Sequence, residues 1–186
     1  MSGEAAAAGY GAATRIEQVV LLPVLGINTA IISIIAQNYG AGNYERIKES
    51  YYTAIKYALF IMILSGILIF ITSGIIPTFF SDNLEVNHFG KKYLQISAFV
   101  LPAYPIFFLS NGFFMALKKS ENALITNFFR NILLPVITFY VATYFMADFN
   151  TFFWIWVVSN WIFSISLLLI VLYYIRKKLN TLSAIV

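Results

Sequence analysis

The sequence predicts an all-α fold, a polytopic transmembrane helix bundle. Three observations carry that prediction. Hydrophobic residues make up 60% of the chain and charged residues only 11%; the mean hydropathy is +0.80; and five windows run for about 20 mostly apolar residues, the length a spanning helix needs. Soluble domains carry roughly 45–50% apolar and about 25% charged residues. A soluble chain of 186 residues would lack the polar surface to cover several all-round apolar helices.

The predicted spans are residues 16–37, 54–76, 94–117, 124–146 and 152–175, joined by connections short enough to make neighbours antiparallel. The first carries Gln18, Gly26, Thr29, Ser33 and Gln37, which at 100° per residue fall within an arc of roughly 100°. Such a stripe is read first as a packing face, with Gly26 and Ala30 in small-xxx-small spacing, and alternatively as a wall of a water-accessible cavity. Pro23 in the same helix releases a carbonyl and predicts a kink. Arg15 and Glu17 are placed at the outer interface, as a pair. The run then stops on Gly40-Ala41-Gly42-Asn43 and turns into Glu45-Arg46-Ile47-Lys48. Gly40 and Gly42 take conformations that end a helix; they serve either as a plain terminus flanked by topology charges or as a gate.

The third span holds Pro102 and Pro105, which predict a bend and mark hinge candidates. Ser97, Tyr104 and Asn111 recur every seven residues and so share a face. With Asn127, Arg130 and Asn131 of the fourth span, Tyr104 and Asn111 are the candidate lining of a substrate cavity. Arg130 lies about two turns inside its span, where a charge is expensive and faces protein or water. Its readings are interior pairing, snorkelling toward the headgroups near Lys118 and Lys119, and direct transport chemistry. Asn127, Arg130 and Asn131 share one helix face by their spacing.

Basic residues in short loops favour the cytoplasm. With the 38–53 loop inside, Arg46, Lys48, Lys118, Lys119, Arg176, Lys177 and Lys178 all fall inside, and only Arg15, Lys91 and Lys92 outside. The C-terminus is therefore expected in the cytoplasm, and five spans leave the N-terminus outside, as if a preceding helix were missing. The charge clusters are topology flanks, not a nucleic-acid surface. The chain has no Cys, hence no disulfide or thiol chemistry. The lone His88 is read as a loop residue without a metal-spaced partner. No Gly-Lys-Ser/Thr phosphate loop occurs, so no catalytic set, metal or cofactor is expected and ATP is not the evident energy source.

Three stretches carry a resemblance: LLPVLGINTAIISIIAQNYGAGNYERIK (21–48), SNGFFMALKKSENALI (110–125) and FFRNILLPV (128–136). Together they resemble the C-terminal half of a multidrug and toxic compound extrusion (MATE) transporter. The resemblance implies that residues 1–186 form a partial C-terminal transmembrane lobe, equivalent to helices eight to twelve of twelve, in a multi-pass protein of the cell membrane. It also implies the missing N-terminal lobe and membrane lipids as partners, a small organic substrate such as a drug or toxic amphiphile, and a proton or sodium ion as coupling ion. Phe113, Phe114, Phe128 and Phe129 would add apolar or cation–π contacts to the cavity. Some relatives place an Asp in the helix equivalent to the third span. Here that region reads LPAYPIFFLSNG, with no acid, and no span shows a carboxylate near its middle. That implies coupling through the other lobe. The alternatives are a lipid-linked oligosaccharide flippase of the same superfamily and a non-transporting membrane subunit.

Overall fold

A computed structural model describes residues 2–146 and 148–179, which are helical with no strand among them. Helix α1 runs Ser2–Gly40, well beyond the predicted 16–37. Ala is the best helix former, so the Ala-rich opening carries the helix several turns further toward the N-terminus. Pro23 lies inside it without ending it. Only Ala41, Gly42 and Asn43 separate α1 from α2 (Tyr44–Thr72), and Gly42 takes φ +74°, a conformation glycine adopts without steric cost.

The third predicted span is corrected. It is a broken rod, α3 (Leu84–Ser97) and α4 (Ala103–Ala116), with turns between. Pro102 and Pro105 have no N–H, so the carbonyls four residues before them lose their helical donors. The backbone answers with tighter bonds: Phe99 N–H to Ile96, Val100 to Ser97, Ala103 to Val100 and Tyr104 to Leu101. The connection before it, read as a loop from Pro77 to Tyr93, contains a short 3-10 turn (Ile76–Phe79) and most of α3, so His88 is helical. Asn83 caps α3 by accepting from Glu85 N–H.

The fourth span agrees with its window. Helix α5 (Ser120–Phe128), a π-helical turn (Phe129–Leu133) and α6 (Leu134–Tyr144) form one rod. Helix α7 covers Phe149–Tyr174, followed by a second π-helical turn. Of the predicted Ala147–Thr151 connection, Ala147 lies outside the described residues. Asp148 caps α7, accepting from Thr151 N–H at 3.1 Å. Among the described residues, four helical rods are long and apolar enough to cross a membrane, 3–40, 44–72, 120–144 and 149–177, with Ala103–Ala116 a shorter apolar helix.

Helix α4 is the innermost element, buried along nearly its whole length between α1, α2 and α7. Helices α1 and α3 cross at Gly9, where a Cβ would lie 2.6 Å from the Val86 carbonyl and 2.8 Å from Gly90 N. Only a glycine admits that approach. The predicted packing stripe of α1 faces the other way. Gln18, Gly26, Thr29, Ser33 and Gln37 are all exposed, nothing lies within 4 Å of a Cβ added at Gly26, and the buried face is Ala13, Glu17, Val24, Ile31 and Ile35. Between exposed polar groups and apolar ones, the second set gains more from leaving solvent. The α5–α6 rod is the least covered, with 6% of its apolar window buried.

Candidate functional site

The strongest concentration of polar chemistry inside the bundle is built around Glu17. Its side chain is only 6% exposed, a correction to its predicted interfacial place. Because α1 extends so far before residue 16, Glu17 sits well inside a helix, on the face that the core contacts. The crossing at Gly9 brings α3 close enough for Tyr93 to donate its hydroxyl to Glu17 Oε2 at 2.5 Å. Tyr104 on α4 donates to Glu17 Oε1. One carboxylate thus takes a phenol from each side of the break in the α3–α4 rod. The expected Arg15 partner is absent: Arg15 is exposed, and the ion pair found among the described residues is Lys48–Glu45 at 2.5 Å.

The positive charge nearest in effect to Glu17 is Arg130. Its guanidinium lies over the rings of Phe107, Tyr104 and Phe108, at 4.2, 5.0 and 5.2 Å from their centroids, distances at which cation–π attraction operates. No acid stands within ion-pair distance of it among the described residues. Arg130 belongs to the π-helical turn, where one extra residue per turn alters which positions align. That shift separates Arg130 from its predicted face-mates. Asn131 is exposed, and Asn127 is half-buried with its amide bonded back to Ala123 O at 2.9 Å.

The predicted Ser97, Tyr104, Asn111 face is buried along its length but serves three neighbourhoods. Ser97 bonds Leu94 O at 3.2 Å, Tyr104 reaches Glu17, and Asn111 accepts from Thr126 of α5 at 3.1 Å. The structure therefore brings Tyr104 and Arg130 together and leaves Asn111, Asn127 and Asn131 further along the rods. Of the hinge candidates, Pro102 and Pro105 sit at the break in the rod, and Gly40 and Gly42 bound the α1–α2 connection. Phe113 and Phe114 are buried, while Phe128 and Phe129 are exposed.

A cavity of about 380 Å³ opens beside Glu17, walled by Tyr10, Gln18, Tyr93, Tyr104, Pro135, Phe153 and Trp156 among others. It borders a wider recess of about 680 Å³ through Tyr10, Phe152 and Phe153. Ring packing fixes the walls: Tyr10 on Phe153 at 5.6 Å, Tyr93 on Phe153 at 4.9 Å, and Tyr10 against Tyr93 at 4.9 Å. The arrangement is an aromatic passage ending on a carboxylate. Glu17, Tyr93 and Tyr10 are the residues that sequence reasoning missed. A signal for Glu17 existed, since Glu17, Val24 and Ile31 recur at seven-residue spacing and so occupy the core face of α1.

Comparisons with known proteins agree with this architecture. The MatE family model matches residues 1–141. The chain is 26% identical over 129 residues to the "FAD transporter" of Shewanella oneidensis, covering 69% of this chain and 28% of that protein. It is 25% identical over 142 residues to the "Probable multidrug resistance protein YpnP" of Bacillus subtilis, covering 76% and 30%. Its fold is similar to the crystal structure of the Vibrio cholerae MATE transporter VcmN in the bent form, with a TM-score of 0.85, 21% identity, and 97% of this chain against 40% of that one. The chain thus spans less than a third of the length of these curated relatives. On the family match and on the all-helical membrane fold, it belongs to the MatE family of transporters.

Proposed function

We propose that this chain is most of the C-terminal lobe of a MATE-type exporter that moves drugs or toxic amphiphilic compounds out of the cell by cation antiport, and that Glu17 is a coupling group. One observation carries the reading: an interior carboxylate, expensive within a membrane, joins α1 to both halves of a broken rod beside a cavity. When charged, Glu17 accepts both phenols and holds α3 and α4 in one relation. Once a proton lands on either oxygen, that oxygen donates as well as accepts, the negative charge that Arg130 acts on is gone, and the two halves are free to change their angle at Pro102 and Pro105. The cation is a proton in this reading. A proton needs only one of the carboxylate lone pairs that the two phenols leave free, whereas a sodium ion would need several oxygens around it at once.

In the assembled transporter, the exposed polar stripe of α1 and the exposed Asn131 would line the space between the lobes, with Tyr104, Asn111, Asn127 and Arg130 behind them. The lobes would rock about that space. The Lys and Arg distribution supports a cytoplasmic C-terminus.

The test is dye efflux from cells making the complete transporter that contains this chain. Efflux should stop when the proton gradient is dissipated and persist when sodium is replaced. Glu17→Gln should reduce it to background with normal protein level in the membrane. Wild-type efflux from Glu17→Gln would end the reading. A second cargo class has its own support: Arg130, with its donors turned to no acid, and the name of the Shewanella relative. An anionic aromatic cargo would show as FAD competing with dye efflux, with competition lost in Arg130→Gln.

A further inference from the structure

We propose that the perimeter of the chain carries a binding site for one anionic phospholipid, seated between α2, the α3–α4 break and α7. An open groove of about 580 Å³ runs there, lined by Ile63, Ile67, Phe70, Phe99, Trp154 and Trp161 among others. Gly66 lines it and lets α2 approach the rod closely, since a Cβ there would stand 2.8 Å from the Ala98 carbonyl. From Ile63 to Ile71 the groove follows α2 for about 12 Å at 1.5 Å per residue, a length suited to part of an acyl chain. Its walls are held by Phe70 against Phe99 at 5.9 Å and Phe99 against Trp154 at 5.3 Å. The break in the rod also frees the Phe99 carbonyl, and the Trp161 indole N–H takes it at 2.8 Å. At Phe99 the groove therefore offers hydrocarbon an apolar wall whose carbonyl is already paired.

One end of the groove is polar. A second recess of about 310 Å³ shares Phe70, Phe99 and Trp154 with it and adds Lys92, Gln95 and Asn150. Lys92 is half-buried, and no ion pair forms on it among the described residues. Asn150 Oδ1 is buried without a hydrogen-bond partner. Asp148, whose carboxylate feels the Lys92 charge, caps α7 and forms no ion pair with Lys92 among the described residues. A cation and amides at the membrane rim above a hydrocarbon groove complement a phosphate diester carrying net negative charge. A choline headgroup would bring its own cation to Lys92.

The site is tested by native mass spectrometry of the full chain after exchange into equal phosphatidylglycerol and phosphatidylcholine. One lysine at a membrane surface supports about a fivefold preference. Wild type is expected to retain phosphatidylglycerol over phosphatidylcholine by about that factor, Lys92→Gln to retain the two equally, and Ile67→Trp to lose both. Quenching of tryptophan fluorescence by brominated phosphatidylglycerol, stronger than by brominated phosphatidylcholine, reads the groove in the unsubstituted protein and needs no variant to fold. Equal retention by wild type, unchanged preference in Lys92→Gln, or tryptophans shielded from brominated lipid because a protein partner covers the groove would each overturn the proposal.

Discussion

Two buried polar links meet α4 only six positions apart, and they are opposites. Ser110 pairs with Tyr51 of α2 at 2.8 Å, and both residues are fully buried. Neither is charged and each satisfies the other. Tyr104 pairs with Glu17 of α1, beside a cavity and under the influence of Arg130. A neutral hydroxyl pair stitches two helices at small cost. A carboxylate in the same depth of protein is far more expensive and needs several donors to persist. The contrast separates a structural fastening from a site whose charge state can do something.

The comparison breaks first if α1 and α3 cannot approach. Gly9→Val should destabilise the fold by about 1–3 kcal/mol or more through overpacking against backbone atoms, and detergent-solubilised protein should aggregate on mild heating; a wild-type melting temperature would show that the crossing is not tight. Next, Tyr93→Phe combined with Tyr104→Phe leaves Glu17 without its hydroxyl donors. Pairs to charged groups are worth roughly 1.5–3 kcal/mol each, so thermal stability should fall and the pH profile of efflux should move. Tyr51→Phe sharpens the contrast from the other side. It should cost about 1 kcal/mol in stability and leave the pH profile of efflux untouched. Arg130→Ala should cost about 0.5–2 kcal/mol from lost ring contacts, with a lower transport rate; unchanged efflux and melting would remove it from the site.

The smallest effect lies outside both links. Hydrogen bonding from Thr151, side chain before backbone, holds the Asp148 carboxyl below the usual carboxylate range. A group depressed in the folded state stabilises above its unfolded pKa and loses that contribution as pH falls through its folded one. Asp148→Ala should therefore lower the melting temperature slightly at neutral pH, and the difference from wild type should vanish in acid. A difference that grows in acid would contradict the cap.

Much of this was legible in the residues, and what was not has definite causes. Four of five spans follow from apolar run length, because lipid imposes a length and a backbone that satisfies itself. The third window holds a break rather than one rod, since a run of apolar letters says nothing of missing donors; Pro102 and Pro105 predict a bend, and together they interrupt the helix. Glu17 lies deeper than its apolar window implies, because the Ala-rich opening has the propensity to continue the helix. The α1 stripe was read inside out: small and polar residues mark packing faces in many membrane bundles, and here the β-branched and aliphatic set is turned inward. The companions of Arg130 were lost to the π-helical turn, which no spacing rule for α-helices anticipates.

The three-residue connection at Ala41–Asn43 limits what kind of motion this part of the molecule permits. With Gly42 already at a positive φ and Asn43 N–H bonded to Asn38 O at 2.9 Å, no slack remains. A piston stroke of α1 past α2 by one pitch, about 5.4 Å, would have to unwind one of them. The pair can only pivot as a hairpin, so spin labels at Gln37 and Arg46 should keep a fixed separation through a whole transport cycle.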